Sequence, residues 1–131
     1  MRVFRDTTGM KNIILLAFVP FLLFTGCAHH EIELRNDVAL SVDSERIAYT
    51  VAGEGQTALI FIHGWSCDGR YWRQQMPVFA KDYRVIAVDL AGHGHSSMDR
   101  QAYTVLSFAQ DVKAIIAQEE IAKAVLIGHS M

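Results

Sequence analysis

Two periods alternate along the chain. Ala58-Leu59-Ile60-Phe61-Ile62 is an unbroken apolar run, and a run of strand length with no polar alternation has both faces buried, as in a central parallel strand. Arg84 to Leu90 and Lys123 to Ile127 repeat the pattern. Between these runs the spacing becomes helical. Trp72, Met76, Phe79 and Ala80 fall at i, i+4, i+7 and i+8, and Val105, Phe108, Ala109, Val112, Ile115 and Ile116 form one stripe. Asp68 and Thr104 stand where N-caps belong, and Pro77 is expected to kink or divide the first helix. Upstream, Val38–Val42 and Arg46–Ala52 read as strands joined by the turn residues Asp43-Ser44, hence as an antiparallel hairpin.

The predicted order is therefore β-β-β-α-β-α-β. Strands that alternate with helices build an α/β fold with a mostly parallel sheet, flanking helices and, here, a leading hairpin. Ligands of such sheets bind beyond the carboxyl ends of the strands. Three polar loops emerge there: His63-Gly64-Trp65, Asp89 to Ser96, and His129-Ser130. All three are expected to open on one edge.

The N-terminal stretch differs from this pattern. Lys11 precedes an apolar run from Ile13 to Phe24 interrupted only by Pro20, and Thr25-Gly26 lead into Cys27. A run of this length is too short to cross a bilayer as a helix and fits the core of a signal peptide. Phe24-Thr25-Gly26-Cys27 resembles the lipobox of bacterial lipoproteins, with Phe24 where Leu is commonest. The resemblance implies a signal over residues 1–27, a lipidated Cys27, a tether over 28–37, and a location in the bacterial cell envelope, anchored to a membrane. With Cys27 committed, Cys67 has no second cysteine to pair with, so no disulfide framework is expected.

Composition narrows the remaining classes. At 51% hydrophobic and 20% charged residues, the chain has enough apolar surface to build a core and is not disordered. The formal net charge is −2. Without a basic patch, nucleic acid is not an expected partner.

The chemistry concentrates in Gly128-His129-Ser130-Met131, which follows the apolar run Ala124 to Ile127. A serine hydroxyl is a weak nucleophile until a base takes its proton. A sharp strand-to-helix turn lifts the hydroxyl out of the sheet, and small residues such as Gly128 let the backbone turn tightly. The first amides of a helix beginning there would face a developing oxyanion.

Taken together, His63-Gly64-Trp65, Asp89-Leu90-Ala91-Gly92-His93-Gly94-His95-Ser96 and Gly128-His129-Ser130-Met131 resemble the α/β-hydrolase family in order and spacing, over residues 38–131. The resemblance implies Ser130 as nucleophile and the backbone N–H groups of Trp65 and Met131 as oxyanion hole. It implies that His63 and Gly64 shape the oxyanion loop. Asp89, Gly92, Gly94 and Ser96 resemble a structural turn of the family, not its catalytic acid. Ser at 130 argues against dehalogenases and epoxide hydrolases, relatives that place Asp there. No cofactor and no metal are expected, and the expected partner besides the membrane is a small ester-like substrate.

In this family the acid and the histidine follow the serine, and only Met131 follows Ser130 here. The expectation is an N-terminal piece of a serine hydrolase that cleaves an ester, lactone or related bond through an acyl-enzyme, inactive by itself. Three alternatives stand beside it. One is a non-hydrolytic relative, a cofactor-free peroxidase, carbon–carbon bond hydrolase or lyase. Another is a zinc site on His93-x-His95, although zinc needs three or four ligands. The last is a membrane-tethered binding module that keeps the fold without the chemistry. The anchor has its own test: Cys27→Ser should release the full-length protein or stall its processing, and unchanged processing with unchanged membrane association would count against lipidation.

Overall fold

The computed structural model describes residues 32–130. Five strands form one sheet: β1 (Leu34–Leu40), β2 (Arg46–Ala52), β3 (Thr57–Ile62), β4 (Arg84–Val88) and β5 (Lys123–Gly128), in the spatial order β1-β2-β4-β3-β5. β1 pairs with β2 and β2 with β4 antiparallel, whereas β3 is parallel to both β4 and β5. The expected hairpin and parallel core are therefore both present. Residues 1–31 and 131 lie outside the described part, and with them the signal, Cys27 and Met131.

One expectation about element limits changes, while the expected division of the first helix is observed. The tether was expected through residue 37, yet β1 begins at Leu34 and pairs along its whole length, Leu34 opposite Ala52 and Leu40 opposite Arg46. The cause is its place at the sheet margin. Only Ala39 of β1 is fully buried, so Arg35, Asn36 and Asp37 are tolerated and the apolar alternation that marks a strand is missing. Polar contacts replace it: Arg35 reaches the Glu119 carboxylate at 2.7 Å, and Thr50 donates to Asn36 at 2.8 Å.

The first helical stripe is not one helix. It divides into a 3-10 turn, Gly69–Trp72, and a single α-turn, α1 (Met76–Phe79). Pro77 sits in the first turn of α1, where its missing N–H breaks no intrahelical bond. Asp68 caps the 3-10 turn by accepting from the Arg70 N–H at 2.9 Å. The second helix, α2 (Val105–Gln118), runs as expected. Thr104 and Ser107 form a reciprocal cap at its start, satisfying amides that no preceding turn can reach.

Strand alternation distributes the core onto two faces. Ile60, Ile86 and Val88 turn toward α2, where they meet Phe108, Val112 and Ile115. Leu59, Phe61, Val85 and Ala87 turn the other way, onto Trp72, Met76 and Ala80. β5 forms one margin of the sheet, and Val125 and Leu126 on it are 44% and 56% exposed. An apolar, unpaired margin of this kind is an aggregation surface unless something covers it.

One buried ion pair ties the loop before α2 to that helix, and nothing in the sequence pattern announced it. Arg100 donates to both oxygens of Asp111, at 2.8 and 2.6 Å, and its side chain also reaches Asp43. The paired carboxylate holds the Arg100 guanidinium above its ordinary range, against the opposing effect of burial. Removing one partner of a buried pair strands the other without compensation. Arg100→Met, which leaves the fully buried Asp111 without its cation, should destabilise the full-length protein by about 3–5 kcal/mol. Asp111→Ala should cost less, because Arg100 keeps Asp43. Chemical denaturation of the two variants checks the order.

Candidate active site

β3, β4 and β5 end level with one another. Ile62 is registered with Val88 on one side and with Gly128 on the other. The three polar loops therefore leave the sheet together, as expected. Trp65 and Ser130 belong to one cluster, through Gly64. A side chain placed on Gly64 would lie 2.8 Å from the His129 carbonyl and 3.0 Å from the Ser130 Cβ. The loop after β3 thus comes into van der Waals contact with the loop after β5, and only a glycine permits it.

Ser130 sits just beyond β5, exposed, with φ +58°. A left-handed serine is a strained residue, costing on the order of 1 kcal/mol or more, and it turns the backbone sharply. The preceding residue is held: the His129 N–H donates to the Ile62 carbonyl at 3.1 Å, continuing the β3–β5 ladder past the strand. Gly128 behaves differently from expectation. A Cβ there would meet nothing within 4 Å, so among the described residues nothing requires position 128 to be small.

The loop after β4 is a polar knot around Asp89. One carboxylate oxygen accepts from the Gly69 N–H at 2.7 Å and the other from the His95 N–H at 2.8 Å. Gly94 has φ +54°, and any Cβ on it would overlap that carboxylate. Ser96 donates to the Asp89 carbonyl at 2.5 Å and accepts from the Ala48 N–H at 2.8 Å, fastening the loop to β2. The Gly92 N–H donates to the Ser97 carbonyl at 2.7 Å, closing the same turn. Both carboxylate oxygens of Asp89 hold backbone amides, and one of them also lies 3.3 Å from the His95 Nδ1.

Comparison with known proteins agrees with this geometry. Residues 57–131 match the α/β-hydrolase fold family. The chain belongs to the α/β-hydrolase family. It is 40% identical over 83 residues to the dihydrolipoyllysine-residue acetyltransferase component of the acetoin cleaving system of Pseudomonas putida, a match that takes in 63% of this chain and 22% of that protein. The epoxide hydrolase CorEH superimposes with a TM-score of 0.69 at 31% identity, over 74% of this chain and 34% of that one. The esterase of Exiguobacterium antarcticum gives 0.69 at 26% identity, over 74% of this chain and 36% of that one. The chain thus spans between a fifth and about a third of the length of these relatives.

Within this α/β-hydrolase the histidines separate by surroundings. His63 is fully buried. The Leu90 N–H donates to its Nε2 at 3.1 Å, which leaves the ring proton on Nδ1, 2.8 Å from the Gly64 carbonyl. Both nitrogens are committed, so His63 is a strut between two loops and no base. His93 is buried with its ring against His63 and Trp65, and its Nδ1 lies 3.1 Å from the Ala91 carbonyl. His95 projects outward with its side chain 81% exposed. Thus His93 and His95 diverge, and among the described residues no three potential ligands gather around a common point.

His129 stacks on Tyr71, ring centroids 4.6 Å apart and planes 25° from parallel. Sequence reasoning missed this contact, because no spacing rule links a 3-10 turn to a strand 58 positions later. It also missed the Gly69 amide that Asp89 accepts.

Burial pushes the His63 imidazole below its ordinary value of 6.5, and the neighbouring His93 adds to this, against the hydrogen bond to Gly64 and the charge of Asp89. The folded state therefore binds fewer protons than the unfolded state just below that value. The stability from neutral His63 is complete above 6.5 and is lost as pH falls through the lowered folded value. His63→Gln, which does not titrate, should lose less stability between neutrality and mild acid than the parent. Thermal denaturation across that range checks it; parallel curves would contradict a neutral buried imidazole.

Proposed function

We propose that the full-length protein is a serine hydrolase that cleaves an ester or a related acyl bond through an acyl-enzyme on Ser130. The observation that carries the reading is the exposed, left-handed Ser130 packed against the Gly64 loop at the carboxyl ends of the strands. A hydroxyl held there is accessible to substrate, and the neighbouring loop supplies amides. The N–H of Trp65 has no acceptor among the described residues, which suits a donor that waits for an oxyanion. The N–H of Met131 is the proposed second donor and lies outside the described residues. Similarity to an esterase supports the reaction class.

The steps follow from acyl transfer. A base takes the Ser130 proton as Oγ bonds to the acyl carbon, and the two amides hold the oxyanion. The leaving oxygen takes that proton and departs. Water then repeats the sequence and frees the acid. Among the described histidines, His63 is committed, His93 is packed away, His95 projects outward and His129 is stacked on Tyr71. We therefore assign base and orienting acid to parts of the full-length protein after residue 131.

An apolar groove of about 370 Å³ runs beside β5, lined by Ile62, Leu90, Phe108, Val112 and Leu126, with Ser130 at its end. We assign this groove to a helix following the sharp turn at Ser130, here called the elbow, and not to substrate. The crossovers set its side: the β4-to-β5 connection carries α2 on one face, and a right-handed connection continuing outward from β5 returns to that face. Substrate would then approach from the loop edge, past Trp65. The proposed anchor at Cys27 rests on the lipobox-like pattern alone and would hold the enzyme at a membrane.

The test uses the full-length protein. A fluorophosphonate should label Ser130, and Ser130→Ala should abolish labelling and lower kcat/KM for a nitrophenyl ester by on the order of a thousandfold or more. A folded protein that takes no label at Ser130 would sink the assignment.

A further inference from the structure

The rings beside the elbow are linked to the core. Phe61 of β3 packs on Trp72 with centroids 4.9 Å apart, and Trp72 is buried. Trp72 meets the Tyr71 ring edge to face at 5.0 Å, and Tyr71 stacks on His129 at 4.6 Å. His129 is bonded to Ser130. A continuous path of packed rings therefore runs from the sheet to the strained residue. We propose that Tyr71 is a positioning residue for Ser130, acting through the face of His129; this rests on the hydrolase reading above.

The physical need is clear. The left-handed backbone of Ser130 is not self-sustaining and persists only where neighbours over-determine it. Two restraints act on the backbone, the His129-to-Ile62 hydrogen bond and the contact with Gly64. Neither fixes rotation of the elbow about the strand axis. A ring stacked on His129 does, because turning the elbow would slide one face off the other. Tyr71 is 42% exposed, so its ring is not there to fill the core. The contacts of its side chain with Trp72 and His129 are made by the ring. The ring alone carries the role, and phenylalanine should preserve it.

The experiment compares full-length wild type, Tyr71→Ala, Tyr71→Phe, His129→Ala and the Tyr71→Ala/His129→Ala double variant. The readouts are the rate of fluorophosphonate labelling at Ser130, kcat and KM for a nitrophenyl ester, and Tm. Losing the stack should slow labelling and kcat about tenfold with KM within about twofold, since displaced reacting groups lose rate before affinity. Tyr71→Phe should restore the rate. The double variant should be no slower than either single one, because both remove the same contact. Tyr71→Ala labelling at the wild-type rate, Tyr71→Phe as slow as Tyr71→Ala, or single effects that multiply would each overturn the proposal. Should Tyr71→Ala lose its fold, His129→Ala, altered at the exposed end of the stack, decides alone: wild-type labelling overturns the proposal and slow labelling at unchanged Tm supports it. Wild type that takes no label would instead defeat the hydrolase reading itself.

Discussion

The register of β3 is the constraint on which the site depends. Ile62 faces Val88 across one ladder and Gly128 across the other. A strand slip of one residue would turn every side chain to the opposite face and raise one loop out of level with its neighbours. The register is guarded by burial on both faces. Ile60 and Phe61 point opposite ways into separate clusters, one under α2 and one under Trp72 and Met76. Neither cluster tolerates the other's residues. Packing on two sides of one strand thus fixes where three loops meet.

That explains why so much of the site was legible in the sequence. Unbroken apolar runs gave the central strands, and polar residues after each run gave the loops. Asp89, Gly94 and Ser96 meet in one turn, where the carboxylate accepts from two amides. The illegible parts have physical reasons. β1 lies at the sheet margin, so its polar residues carry no periodic signal. The buried Arg100–Asp111 pair looks like two ordinary surface charges until the loop folds onto α2. Glu119 reads as a helix terminator, yet it is buried and accepts from Arg35 and Tyr49 and pairs with Arg84. Contacts over long sequence separations leave no local trace.

Glu119 and its cationic partners lie where β4 begins, away from the loops. At that end a buried anion is matched by two guanidinium groups, and the match joins β1, β2, β4 and the end of α2. The loop end is built differently. His63 is neutral there by burial, and the Asp89 carboxylate accepts from two backbone amides. A fixed unneutralised anion near Ser130 would oppose any oxyanion formed there, while fixed amide dipoles favour it.

The same reasoning separates what holds the elbow from what completes it. Strain at Ser130 is sustained by backbone pairing with Ile62, by close approach of Gly64, and by the ring of Tyr71. All three restraints lie on the β3 side of the elbow, reaching it from β3 itself, the loop that follows, and the 3-10 turn. On the other side β5 presents Val125 and Leu126 to solvent, and the groove beneath α2 is open and apolar. A restraint from one side fixes position but leaves the other side free to yield, since a void has no partner atoms to resist displacement. Filling that groove with a helix would close the elbow between two packed layers. The geometry of Ser130 is thus set largely by β3 and its loop, whereas rigidity at its hydroxyl requires packing on β5's free side as well.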